Sequence, residues 1–442
     1  MAFDDLDDLV VDPATARIYE HGWQSWSPTA SYAVDDRSPR PSPDPSLAWQ
    51  HPMRFRPGVT LPEGGFQGEG LLVVDPGTGE PARLYAAADP TMSVPTLRAR
   101  RESSRVVVSA DQPDQVTATD ADGLEAALTR FGDAEHDRRG VALRRAPSVW
   151  CSWYDYFEDV AQSDVVENLE AIDRLDLPVD VLQVDDGWES AVGDWLDLSP
   201  GFSSLRELAS RIRDSGRRAG IWVAPFTVAE HSRVATEHPD WLVPGGGYNW
   251  GGRLAGLDLT LPAVRDHLRH VFDELRGAGF DYFKLDFVYT GALPGRRSQD
   301  ATEVAAYRSG LELVREAVGA DAYLVGCGAP ILPSIGLVDA MRVSADTYHP
   351  DDVDMVGELR GQVNNEARAW QHGRWWVNDG DCVVARPAFP RREEWAAVVE
   401  RNSGLRAFSD RVSSLDDWGL ATVRRILGSV PEPVPFPAGG AT

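Results

Sequence analysis

Short apolar runs separated by turn residues fill the first third of the chain. Leu71-Leu72-Val73-Val74, Arg83-Leu84-Tyr85-Ala86, Arg105-Val106-Val107-Val108 and Gln115-Val116-Thr117-Ala118-Thr119 are short and β-prone. Asp75-Pro76-Gly77 and Asp111-Gln112-Pro113-Asp114 separate them as turns. This texture predicts a small antiparallel β-sandwich domain over residues 1–140. The alternating Pro39, Pro41, Pro43 and Pro45 predict a stiff exposed loop within it.

From residue 146 the pattern becomes strand followed by helix. Ser148–Trp153 reads as a strand. A helix starting near Asp164, with Glu167 as its capping partner, buries Val165, Leu169, Ile172 and Leu175. Val179–Val184 is the second strand. Ser204 and Glu207 open the next helix and Gly216 stops it. Ala219–Ala224 follows as a strand, then a helix from Pro262 closed by Gly277, then the strand Phe280–Phe287. A helix with Tyr307, Leu311, Val314 and Val318 ends at Gly319. Further strands are expected at Ala322–Val325, Ala340–Val343, Trp375–Val377 and Leu405–Phe408. Eight such cycles predict an α/β chain with a (β/α)8 TIM barrel over residues 146–430. An open doubly wound sheet would alternate similarly, but no glycine-rich phosphate turn follows the first strand.

Composition narrows the class of partner. In 442 residues, 69 Asp+Glu stand against 43 Lys+Arg, giving a net charge of −26. That field repels nucleic acid and anionic membranes, so a neutral partner is expected. The chain starts with acidic residues and has no apolar run of membrane-spanning length, so neither a secretory signal nor a membrane span is read. Cys151, Cys327 and Cys382 are odd in number and far apart. Free thiols in the cytoplasm are the simpler expectation.

Lys284 is the chain's single lysine, and it lies with Asp286 inside the apolar strand Phe280–Phe287. A buried strand normally excludes such charges because their desolvation costs several kcal/mol. They are tolerable where a strand ends in a cleft. An ion pair on a barrel rim is the bland alternative.

Barrel sites are built where strands end. Those positions here are Tyr154 and Asp155; Asp185, Asp186 and Trp188; Trp222; Lys284 and Asp286; Cys327 and Gly328; Arg342 and Asp346; Asn378, Asp379 and Asp381; Ser409 and Asp410. Carboxylates and indoles gathered at one face suggest a glycosidase. Such an enzyme needs one ionised carboxylate to attack and one carboxylic acid to protonate the leaving oxygen. Asp286 suits the first task, since the Lys284 ammonium favours a charged neighbour. Asp346 is the candidate for the second. The Asp185-Asp186 pair could bind sugar hydroxyls or a divalent metal; the adjacent lysine and the lack of histidine favour sugar. Trp23 and Trp26, in His21-Gly22-Trp23-Gln24-Ser25-Trp26-Ser27, are either core or a sugar-stacking wall.

These motifs together resemble glycoside hydrolase family 36, the α-galactosidases (melibiases) of short bacterial type. The resemblance rests on Phe283-Lys284-Leu285-Asp286-Phe287, Gly326-Cys327-Gly328-Ala329-Pro330 and Met341-Arg342-Val343-Ser344-Ala345-Asp346-Thr347. Trp150-Cys151-Ser152-Trp153-Tyr154, Val184-Asp185-Asp186-Gly187-Trp188, Gly220–Phe226 and Trp376-Val377-Asn378-Asp379 add to it, as does Gly22–Ser27. It implies Asp286 as nucleophile and Asp346 as acid/base in retaining hydrolysis of galacto-oligosaccharides. By the same likeness, Asp185 and Asp186 hold the 4- and 6-hydroxyls, Lys284 the 3- and 4-hydroxyls, and Arg342 the 2-hydroxyl side. Trp222 stacks on the sugar, Cys327-Gly328 bounds the 2-position, and Trp23 and Trp26 form the rim. No metal or other cofactor is implied; a homo-oligomer is possible. The sequence departs from larger members, which have Lys-Trp-Asp-Met-Asn where Lys-Leu-Asp-Phe-Val stands here. After Gly419 one helix and a Pro/Gly tail from Pro431 are expected in place of a C-terminal β domain. Galactosyl transfer, a related α-glycosidase and a catalytically silent carbohydrate-binding homologue are the alternatives.

Overall fold

The computed structural model describes residues 2–41, 48, 50–347 and 361–436. Pro43 and Pro45 of the proline loop lie outside the described residues. The first third forms two antiparallel sheets. One orders Asp4–Val10, Arg105–Ala110, Thr96–Glu102 and Phe66–Glu69; the other orders Ala30–Ala33, Arg17–Glu20, Leu71–Asp75, Ala82–Ala87 and Val116–Ala121. Strand Leu71–Asp75 shows why its sequence is a continuous apolar run rather than an alternating one. Leu72 and Val74 face the sandwich core, with Ile18, Leu97, Val106 and Val108. Leu71 and Val73 face the opposite way, into the core shared with the barrel. A strand covered on both faces has no polar side to show.

Helix Leu124–Arg139 follows directly, where the sequence predicted only the end of the β domain. Its Ala127 and Leu128 are buried, and the Trp375 indole donates to the Gly132 carbonyl at 3.1 Å. The helix thus wedges between sandwich and barrel. Its weak amphipathicity left no periodic signal.

Eight parallel strands form a third sheet: Ser148–Cys151, Val181–Val184, Arg218–Val223, Phe280–Leu285, Tyr323–Gly326, Ala340–Arg342, Val377–Asp379 and Arg406–Phe408. Strand one pairs with both strand two and strand eight. The gap between strands seven and eight is spanned by a bridge from Val383 to Phe408, so the barrel nearly closes. Ser204 caps its helix as predicted, accepting from Glu207 N at 3.2 Å, and Pro262 opens the next. Two boundaries differ from expectation. The first barrel helix starts at Gln162, where Asp164 accepts from Ala161 N at 2.9 Å, while Glu167 instead pairs with Arg411. The helix from Pro262 passes Gly277 and stops at Gly279, which takes the left-handed conformation at φ 116°.

Strand three does not lead straight to its helix. A three-stranded antiparallel insertion, Thr227–Ala229, Leu242–Asn249 and Gly252–Leu257, intervenes. Its glycine-rich sequence concealed it. The β domain reaches the barrel through Gly22–Ser27. Ser25 N donates to Ala329 O and Ile331 N to Trp23 O, both at 3.0 Å. Fully buried Arg368 gathers carbonyls from both sides, donating to Gln24 O at 3.0 Å and to Val343 O at 2.8 Å. Among the described residues no helix is long and apolar enough to cross a membrane.

Candidate active site

Strand four carries the centre of the site. Side chains alternate along a strand, so Lys284 and Asp286 share one face while Phe283 and Leu285 join the apolar core. Asp286 stands just past the strand end, its backbone N–H bonded to Val223 O at 2.9 Å. Its two carboxylate oxygens are separately fixed. Phe287 N donates to Oδ1 at 2.8 Å, and the Trp222 indole N–H donates to Oδ2 at 3.0 Å. Lys284 Nζ lies 3.5 Å from Oδ2 of Asp286 and 3.0 Å from Oδ2 of Asp185. Burial works against the ammonium, but the Asp185 and Asp286 charges outweigh it and hold its pKa well above the ordinary lysine value.

Asp185 and Asp186 are adjacent at the end of strand two yet turn apart. Asp185 faces Lys284. Asp186 accepts from the Trp250 indole N–H at 2.7 Å and lies against Glu189. Both carboxyls of that pair are pushed up, Asp186 by burial and then by the Glu189 charge, Glu189 by burial to about 7. The metal alternative needed the two aspartates to converge. Among the described residues no group of three His, Cys, Asp or Glu side chains is placed to hold a metal ion.

Strands six and seven build the opposite wall. Arg342 reaches Asp346 Oδ1 at 3.0 Å, Asp379 Oδ2 at 3.3 Å and Asp381 Oδ1 at 2.8 Å. Asp381 also accepts from the Thr347 N–H at 2.8 Å and from its hydroxyl at 2.7 Å, and pairs with the Tyr154 hydroxyl. It thereby anchors the residue next to Asp346. The Asp346 side chain is 39% exposed at the mouth. Packing around its carboxyl raises its pKa, Arg342 pulls it down, Asp381 raises it again, and it settles at about 6. The Asp286 charge also contributes to the rise, so the two carboxyls lie within electrostatic reach of each other.

Cys327 and Gly328 lie between the walls. Cys327 N donates to Leu285 O at 2.8 Å, and its thiol is pushed up by burial and by Asp286. Gly328 has φ +51°, and an added Cβ there would stand 2.9 Å from the Trp26 ring and 3.0 Å from Phe287 N. A side chain does not fit.

The two N-terminal tryptophans separate. Trp26 packs edge-on against Phe287 at 4.8 Å and is brought to the site. Trp23 is buried elsewhere, under Arg56 at 4.8 Å, and lines a small pocket with Glu20 and Glu69. It packs against Arg56 rather than against Phe287. Trp222 also differs from its expected stacking role. It is 1% exposed, covered by Trp195 and Trp250, and presents its N–H to Asp286 rather than a free ring face.

The structure adds residues that sequence reasoning left without a role: Trp250, Glu189, Asp381 and Tyr154. Glu189 was visible as a third carboxylate directly after Asp185-Asp186-Gly187-Trp188. Trp250 gave no signal, since it lies in the unrecognised insertion.

Residues 110–315 match the Melibiase family profile. This span holds Asp185, Asp186, Lys284 and Asp286, though not Arg342 or Asp346. The bifunctional α-galactosidase/sucrose kinase of Mediterraneibacter gnavus is 27% identical over 198 residues, 40% of this chain and 20% of that protein. α-Galactosidase 2 of Pediococcus pentosaceus is 32% identical over 152 residues, 32% of this chain and 21% of that protein. The first curated relatives are thus matched over only 20% to 26% of their own length. Among solved structures, an α-galactosidase from Thermus thermophilus in complex with p-nitrophenyl α-D-galactopyranoside superposes with a TM-score of 0.78. It is 28% identical, with 97% of this chain and 89% of that one covered. The family 36 α-galactosidase AgaA of Geobacillus stearothermophilus, 16% identical, shares the fold with a TM-score of 0.61 over 95% of this chain and 61% of its own. Residues 110–315 are thus similar to the Melibiase family, and the relatives named here, in sequence and in structure, are α-galactosidases.

Proposed function

We propose that the chain is a retaining α-galactosidase acting on terminal α-galactosyl groups. The observation that carries this reading is a pair of unlike carboxyls within electrostatic reach of each other. Asp286 is fixed by two N–H donors beside an ammonium. Asp346, raised to about 6, can hold a proton for a leaving oxygen.

Asp286 attacks the anomeric carbon while Asp346 gives its proton to the glycosidic oxygen. The bond from carbon to the leaving oxygen breaks, and a β-galactosyl ester forms on Asp286. Asp346, now a carboxylate, takes a proton from water, which opens the ester and releases α-galactose. Asp185, Asp186, Lys284 and Arg342 receive the sugar hydroxyls. Cys327 and Gly328 close the 2-position. The structure of the Thermus thermophilus relative with stachyose supports galacto-oligosaccharides as the substrate class. Residues 1–140 and 146–430 are assigned as sandwich and catalytic domains. The three thiols, all free and buried, fit the cytoplasm. The net charge of −26 disfavours nucleic acid and anionic membranes as partners.

The test is Asp286→Ala with azide. Turnover should fall by more than about 10⁴-fold, in line with loss of a nucleophile, and azide should restore it with β-galactosyl azide as product. An α-azide product, or undiminished activity, overturns the assignment. Wild-type inactivity on p-nitrophenyl α-galactoside favours the silent carbohydrate-binding alternative.

A further inference from the structure

Trp250 sits where local chemistry does not want it. Asn249 pairs with Gly252 across the insertion hairpin, so Trp250 and Gly251 are its two loop residues. Their φ values are +49° and +71°. Positive φ at both central positions is the type I′ turn, whose first position favours asparagine or glycine. A bulky side chain in the left-handed region is strained, and such strain persists where function requires the side chain. Asn249 is one residue too early to relieve it.

The strained turn delivers the indole to the site. Its N–H donates to Asp186 Oδ2 at 2.7 Å, and its ring lies 4.7 Å from Phe287 and 6.2 Å from Trp222. Trp188, Trp195 and Trp222 on the same side are fully buried, whereas Trp250 remains partly exposed. Behind the hairpin, the Tyr289 hydroxyl donates to Gly246 O at 2.6 Å and ties the insertion to the loop after strand four. Asp186 is also hydrogen-bonded to a second carboxyl, Glu189, so the indole N–H and Glu189 together set its orientation. Without the indole N–H the Asp186 carboxyl keeps Glu189 alone and loses its one N–H donor among the described contacts.

We propose that Trp250 is a specificity-determining positioning residue, holding the Asp186 carboxyl toward the hydroxyls of the bound hexose and forming the pocket wall beside Phe287. This rests on the α-galactosidase reading above. The tests are Trp250→Phe, which keeps a ring but loses the N–H, and Trp250→Asn, which suits the turn. Each is combined with Asp186→Asn and assayed on p-nitrophenyl α-galactoside with free galactose as inhibitor.

A hydrogen bond to a charged group sets the scale. Trp250→Phe should raise KM and the galactose inhibition constant about tenfold while kcat falls less than about threefold. Trp250→Asn should do so at least as strongly with Tm held within a few degrees, because the backbone strain is relieved. In the Asp186→Asn background the Trp250→Phe effect should shrink to less than about threefold, since both changes remove one interaction. Unchanged KM in both single variants, full additivity with Asp186→Asn, or a KM loss that merely follows a lowered Tm overturns the proposal. If wild type does not turn over the nitrophenyl galactoside, it is the α-galactosidase reading that fails, and this inference with it. Active wild type with indifferent Trp250 variants sinks the inference alone.

Discussion

The two walls of the site hold comparable charges in different ways. On the strand-four side one ammonium serves two carboxylates, Asp185 and Asp286, and every one of these groups is buried. On the strand-six side one guanidinium serves three, Asp346, Asp379 and Asp381, and Asp346 stands partly open. The first wall is rigid and satisfied. The second is short of positive charge, and its most accessible carboxyl holds a proton up to about pH 6. The retaining chemistry proposed above would use this asymmetry, because there the attacking group stays charged and the other changes state twice. Asp286 and Asp346 are the same residue type, and the difference between them is made by charge count and burial.

Breaking the first wall should have the largest effect. Lys284→Met leaves Asp185 and Asp286 facing each other without a cation in a buried place, a situation costing several kcal/mol when one partner of a buried pair is removed. We expect kcat/KM to fall about 10³-fold, with Tm lowered by several degrees. Activity within tenfold of wild type would show that the ammonium does not organise this wall.

Removing the acid ranks next and should depend on the substrate. Asp346→Asn should cost about 10²- to 10⁴-fold on raffinose-type substrates, whose leaving oxygen needs the proton. On p-nitrophenyl galactoside the first step needs little help, so the loss there should be far smaller. Equal losses on both would move the acid elsewhere.

Asp381→Asn sharpens the comparison without removing either reacting group. The Asp381 charge raises the Asp346 pKa, so its loss lowers that pKa. The acid must be protonated to act. The alkaline limb of the kcat/KM profile, expected near pH 6, should therefore move to lower pH. An unmoved limb, or a shift upward, would mean that Arg342 freed from Asp381 does not act on Asp346 as described.

Much of this asymmetry could be read before any coordinates, and the reasons are local. Lys284 and Asp286 announced themselves because charges in an apolar strand demand an explanation. Ser204, Pro262 and Gly319 marked helix ends because capping is decided within a few residues. Trp23 and Trp26, three positions apart, could not be told apart, since the choice is made by Arg56 on one and Phe287 on the other. For Trp222, strand position shows that it points inward but not that Trp195 and Trp250 pack against it. The insertion carrying Trp250 escaped notice because glycines at 245–247 and 251–252 dilute any alternation. Long-range partners, rather than local propensity, decided each of these cases.

The smallest effect concerns stability. Behind Asp186 the first wall has a raised carboxyl of its own, Glu189, which burial pushes from 4.5 up to about 7. A group whose folded pKa lies above its unfolded value stabilises the fold fully below the unfolded value. That contribution is lost as pH rises through the folded value. Wild type should therefore lose stability between about pH 4.5 and 7, the window set by this shift. Glu189→Gln cannot ionise and should flatten that slope, shrinking the Tm drop between pH 5 and 8 by about 1–3 °C, a modest figure for a chain of this size. A steeper drop in the variant would mean that Glu189 is charged in the fold and that the proton lies on Asp186. The first wall would then hold its proton on the substrate-facing carboxyl, and Asp186 would donate to a sugar oxygen instead of accepting from a hydroxyl.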